Sequence, residues 1–327
     1  MIKRSEFVNN RRLCFDKAYG SLIGLAIGDS FGDACRTTEN HMNYGITMDF
    51  NEGNSWSTDD TEFALLTAQS LIESNGNLTT EHVLEMWRSH VITQGVLNRG
   101  GASEREAASN IKHNILPPDS GKFNSYHMSD GAAMRVTPIG IICAGDPERA
   151  ARLAEIDAQI SHWRDGIWGA QAVAVAVSVA MVGGSIEEIF DEVFKVIPED
   201  SWFHFNLTKA LEIVDQHDSI QTAWMPLHDE LWTEYKAAVP EAVSQALAVF
   251  KATRGDFHNG IIFGGNFGRD ADTIAAIIGG ISGALNGVSA IPASWVEKTR
   301  YPSGTCLEFA RGLDIFNVAG ELAELIR

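Results

Sequence analysis

Basic residues are scarce in this chain. Lys and Arg number 25 against 43 Asp and Glu, giving a formal net charge of −18 over 327 residues. Such a field repels polyanions and excludes nucleic acid or an anionic membrane surface as the main partner. Cysteine is equally thin: Cys14, Cys35, Cys143 and Cys306 stand alone, with no CxxC pair. That spacing excludes a thiolate zinc site and a disulfide framework, and a reducing, cytoplasmic setting is expected. Long apolar runs are missing too. The longest, IWGAQAVAVAVSVAMV from Ile167 to Val182, stops short of the roughly 20 residues a membrane span requires. The N-terminal MIKRSEFVNNRRLCF carries basic residues without an apolar core and does not read as a secretory leader. Hairpin signals, βαβ alternation, fixed-period repeats and linkers are all lacking.

What remains is helical patterning. LLTAQSLIES, HVLEMWRSHV, EEIFDEVFKVI, EAVSQALAVFKA and FARGLDIFNVAGELAELI all space apolar residues by three and four. AVAVAVSVA alternates like a strand, but its Ala content and the length of the run favour a buried helix. An all-α domain over residues 1–327 is expected. The most loop-like stretch, Gly95 to Asp130, contains RGGAS and LPPDSGKFNS. A connection that long inside a domain suits a lid or binding segment.

Two helix starts are unusually rich in oxygen. WSTDDTEFA places Ser57, Thr58, Asp59, Asp60 and Thr61 before an apolar run. Capping explains part of this, since Ser, Thr and Asp satisfy exposed N–H groups and acids complement the helix dipole. Asp59 with Glu62 has capping-box spacing. GGNFGRDADTIAAIIGGISGAL then sets Asp270, Asp272 and Thr273 ahead of a second apolar run. Carboxylate and hydroxyl oxygens are the ligands hard divalent cations take. Were the two starts to converge, their aspartates would repel unless cations sat between them. An EF-hand does not fit, because the twelfth position from Asp270 is Ile281 where that loop needs Glu.

AYGSLIGLAIGDSFGDA spaces Gly20, Gly24 and Gly28 by four, followed by Asp29 and Gly32. Each glycine costs a helix about 1 kcal/mol relative to Ala, and close helix packing is the plain reason to keep a stripe of them. Gly279, Gly280 and Gly283 read the same way.

GSLIGLAIGDSFGDA, WSTDDTEFALLTAQSL, SDGAAMRVTPIG and GGNFGRDADTIAAIIGGISGAL, in that order, resemble the motifs of the ADP-ribosylglycohydrolases from about Ala18 to Leu285. The resemblance implies a compact all-α orthogonal helical bundle, a single domain with a central cleft for two divalent cations, Mg²⁺ or Mn²⁺. It implies Thr58, Asp59, Asp60, Asp270, Asp272 and Thr273 as metal ligands, with Asp59 or Asp60 orienting or deprotonating water. Ser129, Asp130, Gly131 and Arg135, with Asn266, Phe267, Gly268 and Arg269, would line the ribose and phosphate pocket. The Gly264–Gly265 backbone would help hold phosphate, and Phe267 would stack on adenine. His162 falls where related sequences often carry a His; a structural histidine is the alternative. The implied substrate is an ADP-ribosylated protein or a small ADP-ribose conjugate.

One position departs from the pattern. Seven residues after Asp29, where many members carry Glu, this chain has Arg36. The exchange reverses the charge and removes a carboxylate; Asp33 or Glu39 are the nearby acids that would replace it. Arg36 could instead bind an anionic group of a different substrate through its planar fork. Hydrolysis of free nucleosides or other small glycosides, and ADP-ribose binding with weak turnover, therefore stand beside the main expectation. The aromatic cluster SWFHF, Ser201 to Phe205, is expected to pack in the core, and Trp56 to form a wall near the metal motifs.

Overall fold

The computed structural model describes residues 2–37, 42–43, 45–50 and 56–327. Helices dominate, and among the described residues no strand forms; the sole strand-like pairing is an isolated bridge between Ser129 and Ala238. Seven helices build and support the functional region: α1 (Arg11–Cys35), α2 (Asp59–Glu73), α3 (Ala102–Lys112), α4 (Asp165–Met181), α5 (Val239–Ala252), α6 (Phe257–Gly265) and α7 (Ala271–Asn286).

The glycine stripe determines how the centre is assembled. Gly20, Gly24, Gly28 and Gly32 of α1 face Gly283, Gly279, Ala275 and Ala271 of α7, so the two helices run antiparallel with a shared four-residue rhythm. A Cβ at Gly20 would lie 2.6 Å from the Gly283 carbonyl oxygen, and one at Gly28 would lie 2.5 Å from Ala276 N. With no side chains between them the backbones touch, and Ser21 Oγ donates across the seam to the Gly280 carbonyl at 2.8 Å. The C-terminal end of α1 thereby meets the N-terminal end of α7, which is the juxtaposition the site needs.

α4 is the AVAVAVSVA run, a helix buried along almost its whole length. Its alternation is accidental: Ala and Val both bury well, and the helix is enclosed by neighbours on every side. Within the stretch expected to be loop, α3 forms at Ala102–Lys112, with Ser103, Glu104, Ala107, Ala108 and Ile111 buried. Apart from Ile111 its inner face consists of small and polar residues, which hid the helical period. In SWFHF only Phe203 is fully buried; Trp202 and Phe205 are exposed and Ser201 caps the helix by accepting from His204 N at 3.0 Å. No helix among the described residues is long and apolar enough to cross a membrane.

Candidate active site

Three chain segments converge on one acidic cleft. Asp29, Asp33 and Arg36 project from one side of the end of α1, spaced by four and three residues. Thr58, Asp59 and Asp60 open α2, and Asp270, Asp272 and Thr273 open α7. The cleft has a volume of about 240 Å³, and both helix starts line it together with Arg99–Arg105, Ser129–Gly131 and Tyr235–Ala237.

Asp29 is the internal brace. Fully buried, it accepts from Thr58 N at 2.9 Å, Thr58 Oγ1 at 2.6 Å and Thr61 N at 3.2 Å, and also from Thr61 Oγ1. It thus takes up the N–H groups that a capping side chain would otherwise serve. Thr58 is itself the N-cap of α2, accepting from Asp60 N at 3.4 Å. The Asp59–Glu62 capping box does not form. Glu62 instead accepts from Thr305 N at 2.9 Å, Cys306 N at 2.8 Å and Leu307 N at 2.6 Å, pinning a distant segment against the helix start.

Asp29, Asp60 and Asp272 each offer an oxygen within 4.8 Å of the other two, and all three are buried. Asp60 Oδ1 is buried with no hydrogen-bond partner among the described residues. An orphan carboxylate oxygen is costly to bury, and a hard cation in the cluster would satisfy it; the residues fit such an ion. Burial, reinforced by neighbouring carboxylates (Glu104 foremost for Asp59, aspartates for the others), pushes the carboxyls of Asp59, Asp60 and Asp130 well above the usual range. Burial likewise pushes Asp29 to about 6 and Asp272 to about 7.

A folded-state pKa above the unfolded value contributes stability that is complete below the unfolded pKa and lost as pH rises through the folded one. Cation-free protein is therefore expected to lose thermal stability as pH rises from about 4 to about 7 through Asp29 and Asp272. Added Mg²⁺ or Mn²⁺ should raise the melting temperature more at pH 8 than at pH 5, as it favours the ionised carboxylates. Melting curves in chelator and in cation across that range check this; equal cation effects at both ends would contradict it.

The remaining residues expected at the site divide. Ser129, Asp130 and Gly131 line the cleft, as does Thr273. Arg135 sits behind the wall, almost wholly buried, donating from Nε to Asp157 Oδ1 at 2.7 Å and from Nη1 to the Gly131 carbonyl at 3.2 Å. His162 is also buried and outside the lining; its Nε2 meets Ser129 Oγ at 2.8 Å and its Nδ1 meets Ser161 Oγ at 2.7 Å. Burial, then Arg135, lowers its pKa well below the ordinary histidine value. Asn266 ties down Thr47, with Nδ2 donating to its carbonyl at 2.8 Å. Phe267 is buried against Trp224 and His228, and neither it nor Gly268 lines the cleft. Gly264 and Gly265 lie inside α6, where missing side chains admit Ile278 and Phe31. Trp56 is partly exposed and donates from Nε1 to Asp33. Glu39 lies outside the described residues.

Arg269 adopts φ 57°, in the left-handed region that disfavours side chains. Its guanidinium is clamped on buried Glu241, Nε to Oε1 at 2.6 Å and Nη2 to Oε2 at 3.0 Å. That clamp aims the following Asp270 and Asp272 into the cleft. Arg36 points at the protein's own carboxylates: Nη1 lies 2.6 Å from Asp272 Oδ1 and 3.5 Å from Asp270 Oδ1, and Nη2 lies 2.8 Å from Asp33 Oδ1.

Several lining residues were not singled out from the sequence. Glu104 is fully buried and accepts from Ser103 Oγ at 2.8 Å through Oε2, while Oε1 has no hydrogen-bond partner among the described residues and lies 3.5 Å from Arg135 Nη1. Arg99 pairs with Asp33, and Lys236 donates to Asp270 Oδ1 at 2.6 Å. Arg99 and Glu104 lie in the stretch flagged as a binding segment; nothing in the sequence marks Tyr235 or Lys236.

Comparison with known proteins gives this geometry a context. The family model described as ADP-ribosylglycohydrolase matches residues 10–326. The ADP-ribosyl-[dinitrogen reductase] glycohydrolase of Rhodospirillum rubrum is 26% identical, covering 86% of this chain and 90% of its own. The ADP-ribosylarginine hydrolase Tri1 of Pseudomonas putida is 25% identical, covering 88% of this chain and 75% of its own. A solved ADP-ribosylglycohydrolase-related protein complex superposes with a TM-score of 0.65 at 21% identity, over 97% of this chain and 100% of that one, and so shares the fold.

Proposed function

The chain belongs to the ADP-ribosylglycohydrolase family and is a glycosidase-type hydrolase, and we propose that it cleaves the anomeric C–N or C–O bond of an ADP-ribosyl group with the help of a divalent cation, Mg²⁺ or Mn²⁺. The observation that carries this reading is the meeting of two oxygen-rich helix starts over an orphaned buried carboxylate oxygen.

Asp60 and Asp272, with Asp29 and Thr58 behind them, would hold the cation. When bound, it supplies Lewis-acid charge beside the ribose hydroxyls and the attacking water. Asp59 is half-buried and lines the open side of the same helix start. Ionised when a cation offsets the repulsion from its neighbouring carboxylates, it would orient the water and take its proton as the oxygen bonds to the anomeric carbon and the leaving nitrogen or oxygen departs with the bonding pair. Asp130 and Gly131, which line the cleft beside Asp270, would contact the sugar. The substrate class is an ADP-ribosylated protein or small ADP-ribose conjugate, in keeping with the names of the relatives.

One observation favours a second reading. A cleft of about 240 Å³ lies below the roughly 300–1,000 Å³ of pockets that enclose a drug-sized ligand. It holds a ribose and its leaving group, which suits a plain nucleoside or another small glycoside. Turnover with and without Mg²⁺ or Mn²⁺ decides between them, using ADP-ribosyl-arginine, ADP-ribosyl-serine, O-acetyl-ADP-ribose and several nucleosides. Cation-dependent release of ADP-ribose from a conjugate is expected. Cleavage of nucleosides alone would establish the second reading, and ADP-ribose binding without any turnover would overturn both.

A further inference from the structure

The resemblance to the family implies two cations, yet the protein has placed one of its own charges inside the cluster. Arg36 is three-quarters covered, and its Nη1 contacts Asp272 Oδ1 at 2.6 Å and Asp270 Oδ1 at 3.5 Å while Nη2 contacts Asp33 Oδ1 at 2.8 Å. Lys236 Nζ adds a second cationic contact to Asp270 Oδ1 at 2.6 Å. The carboxylates thus fall into two sets. Asp33, Asp270 and one oxygen of Asp272 are neutralised by side-chain cations. In the inner set of Asp29, Asp60 and Asp272, no such partner contacts Asp60 among the described residues, and its Oδ1 stays orphaned.

We propose that the guanidinium of Arg36 takes the place of one metal ion, so that the site binds a single divalent cation at the Asp29–Asp60–Asp272 cluster. The proposal rests on the cation reading given above for the cleft. A metal bridging Asp270 and Asp272 would need oxygen ligands at about 2.0–2.6 Å. The Asp272 Oδ1 and Asp270 Oδ1 that such an ion would use are held by Arg36 and Lys236. An ion there would sit against a guanidinium that does not lose its proton in a protein. Like charges at such separations repel strongly in a low-dielectric cleft. At the inner cluster the competition is weaker: among the described residues no guanidinium or ammonium group contacts Asp29 or Asp60, and Arg36 reaches the cluster through Asp272 Oδ1.

The test is a count of bound Mn²⁺, by elemental analysis of protein equilibrated with Mn²⁺ and by the electron paramagnetic resonance spectrum of the bound ion. The wild-type chain should hold one Mn²⁺ with a six-line mononuclear signal. Arg36→Glu, which removes the internal cation and adds a ligand, should hold two, with the broadened signal of a coupled pair. Two ions in the wild type would overturn the inference while leaving the cation reading intact. A single ion in a folded Arg36→Glu would also overturn it, because Arg36 would not be what fills the second place. No bound ion in the wild type would overturn both. Should Arg36→Glu not fold, the wild-type count and that of Arg36→Gln still decide: one ion followed by two supports the inference, and any other pair refutes it. One bound Mn²⁺ with no ADP-ribose released from any conjugate would support this inference while refuting the proposed activity, so the two fail separately.

Discussion

Asp272→Asn is expected to lower kcat by about a thousand-fold or more at saturating Mn²⁺, with the chain still folded. A single preorganised electrostatic group in an active site is worth on the order of 10²–10³ in rate, and Asp272 serves more than one purpose. It belongs to the buried cluster with Asp29 and Asp60, and it is also the closest partner of Arg36. Asn keeps the shape and loses the charge, so the inner cluster is left with two carboxylates to face a divalent ion. The fold should tolerate the change. Asp272 is buried beside Asp270 and Asp29, and repulsion from both works against its ionisation. Removing that charge relieves the cation-free protein. Asp270→Asn should cost less, because Asp270 is matched by Lys236 and Arg36 and stands outside the inner cluster. Measuring kcat and bound Mn²⁺ for both variants checks the ranking. An Asp272→Asn enzyme that keeps a tenth of wild-type kcat, or a more damaging Asp270→Asn, would show that the cluster is not where the chemistry is held.

How far the site could be anticipated depended on whether its residues announce themselves locally. Thr58, Asp59, Asp60, Asp270, Asp272 and Thr273 stand at helix starts, where a cap needs one such residue and a run of them asks for a second purpose. Asp59, Asp60, Asp270, Asp272 and Thr273 line one cleft, while Thr58 lies behind it, bonded to Asp29. The glycines of α1 and α7 were legible for a similar reason, as a costly residue repeated at helical spacing. Lys236 and Glu104 were not legible. Lys236 arrives from a turn ahead of α5, and only the tertiary fold places it on Asp270. Glu104 lies on a helix whose buried face is Ser, Glu and Ala with Ile111 as its one large apolar residue, so no apolar period marks it. Arg36 was legible as a departure but not in its direction. A guanidinium at the rim could face a ligand or its own protein, and the nearness of Asp33, one helical turn away, with Asp270 and Asp272 across the seam, settled which. Asn266, Phe267 and Gly268 are adjacent to the metal-ligand motif in sequence. The helix α6 ends there and the chain turns through Gly268 and Arg269 at positive φ, which sends the first three away from the cleft and the next residues into it.

Gly28→Ala sets two effects of opposite sign against each other, and their magnitudes decide the outcome. By helix propensity alone, replacing a mid-helix Gly with Ala stabilises by about 1 kcal/mol. At Gly28, however, the new methyl would lie 2.5 Å from Ala276 N and closer still to the Ala275 carbonyl. Those are backbone atoms of α7, with no side chain able to rotate aside. Overpacking of a core typically costs 1–3 kcal/mol when side chains can adjust, so a backbone clash at the central seam should cost about 3 kcal/mol or more net of propensity. Gly320→Ala is the matched control: it too is helical, and its nearest would-be neighbour is Phe15 at an ordinary 3.7 Å. There propensity should win, with a gain of a few tenths to about 1 kcal/mol. Denaturant unfolding of the two variants measures both numbers. The activity of Gly28→Ala carries the consequence to the site, because Asp29 is the next residue and Asp272 lies just across the same seam. If α1 and α7 are forced apart, the carboxylates of Asp29, Asp60 and Asp272 no longer share one ion, and cation binding should weaken together with stability. A Gly28→Ala chain as stable as wild type would mean that the stripe is not what holds the two helices in contact, and that the site's geometry is maintained from elsewhere.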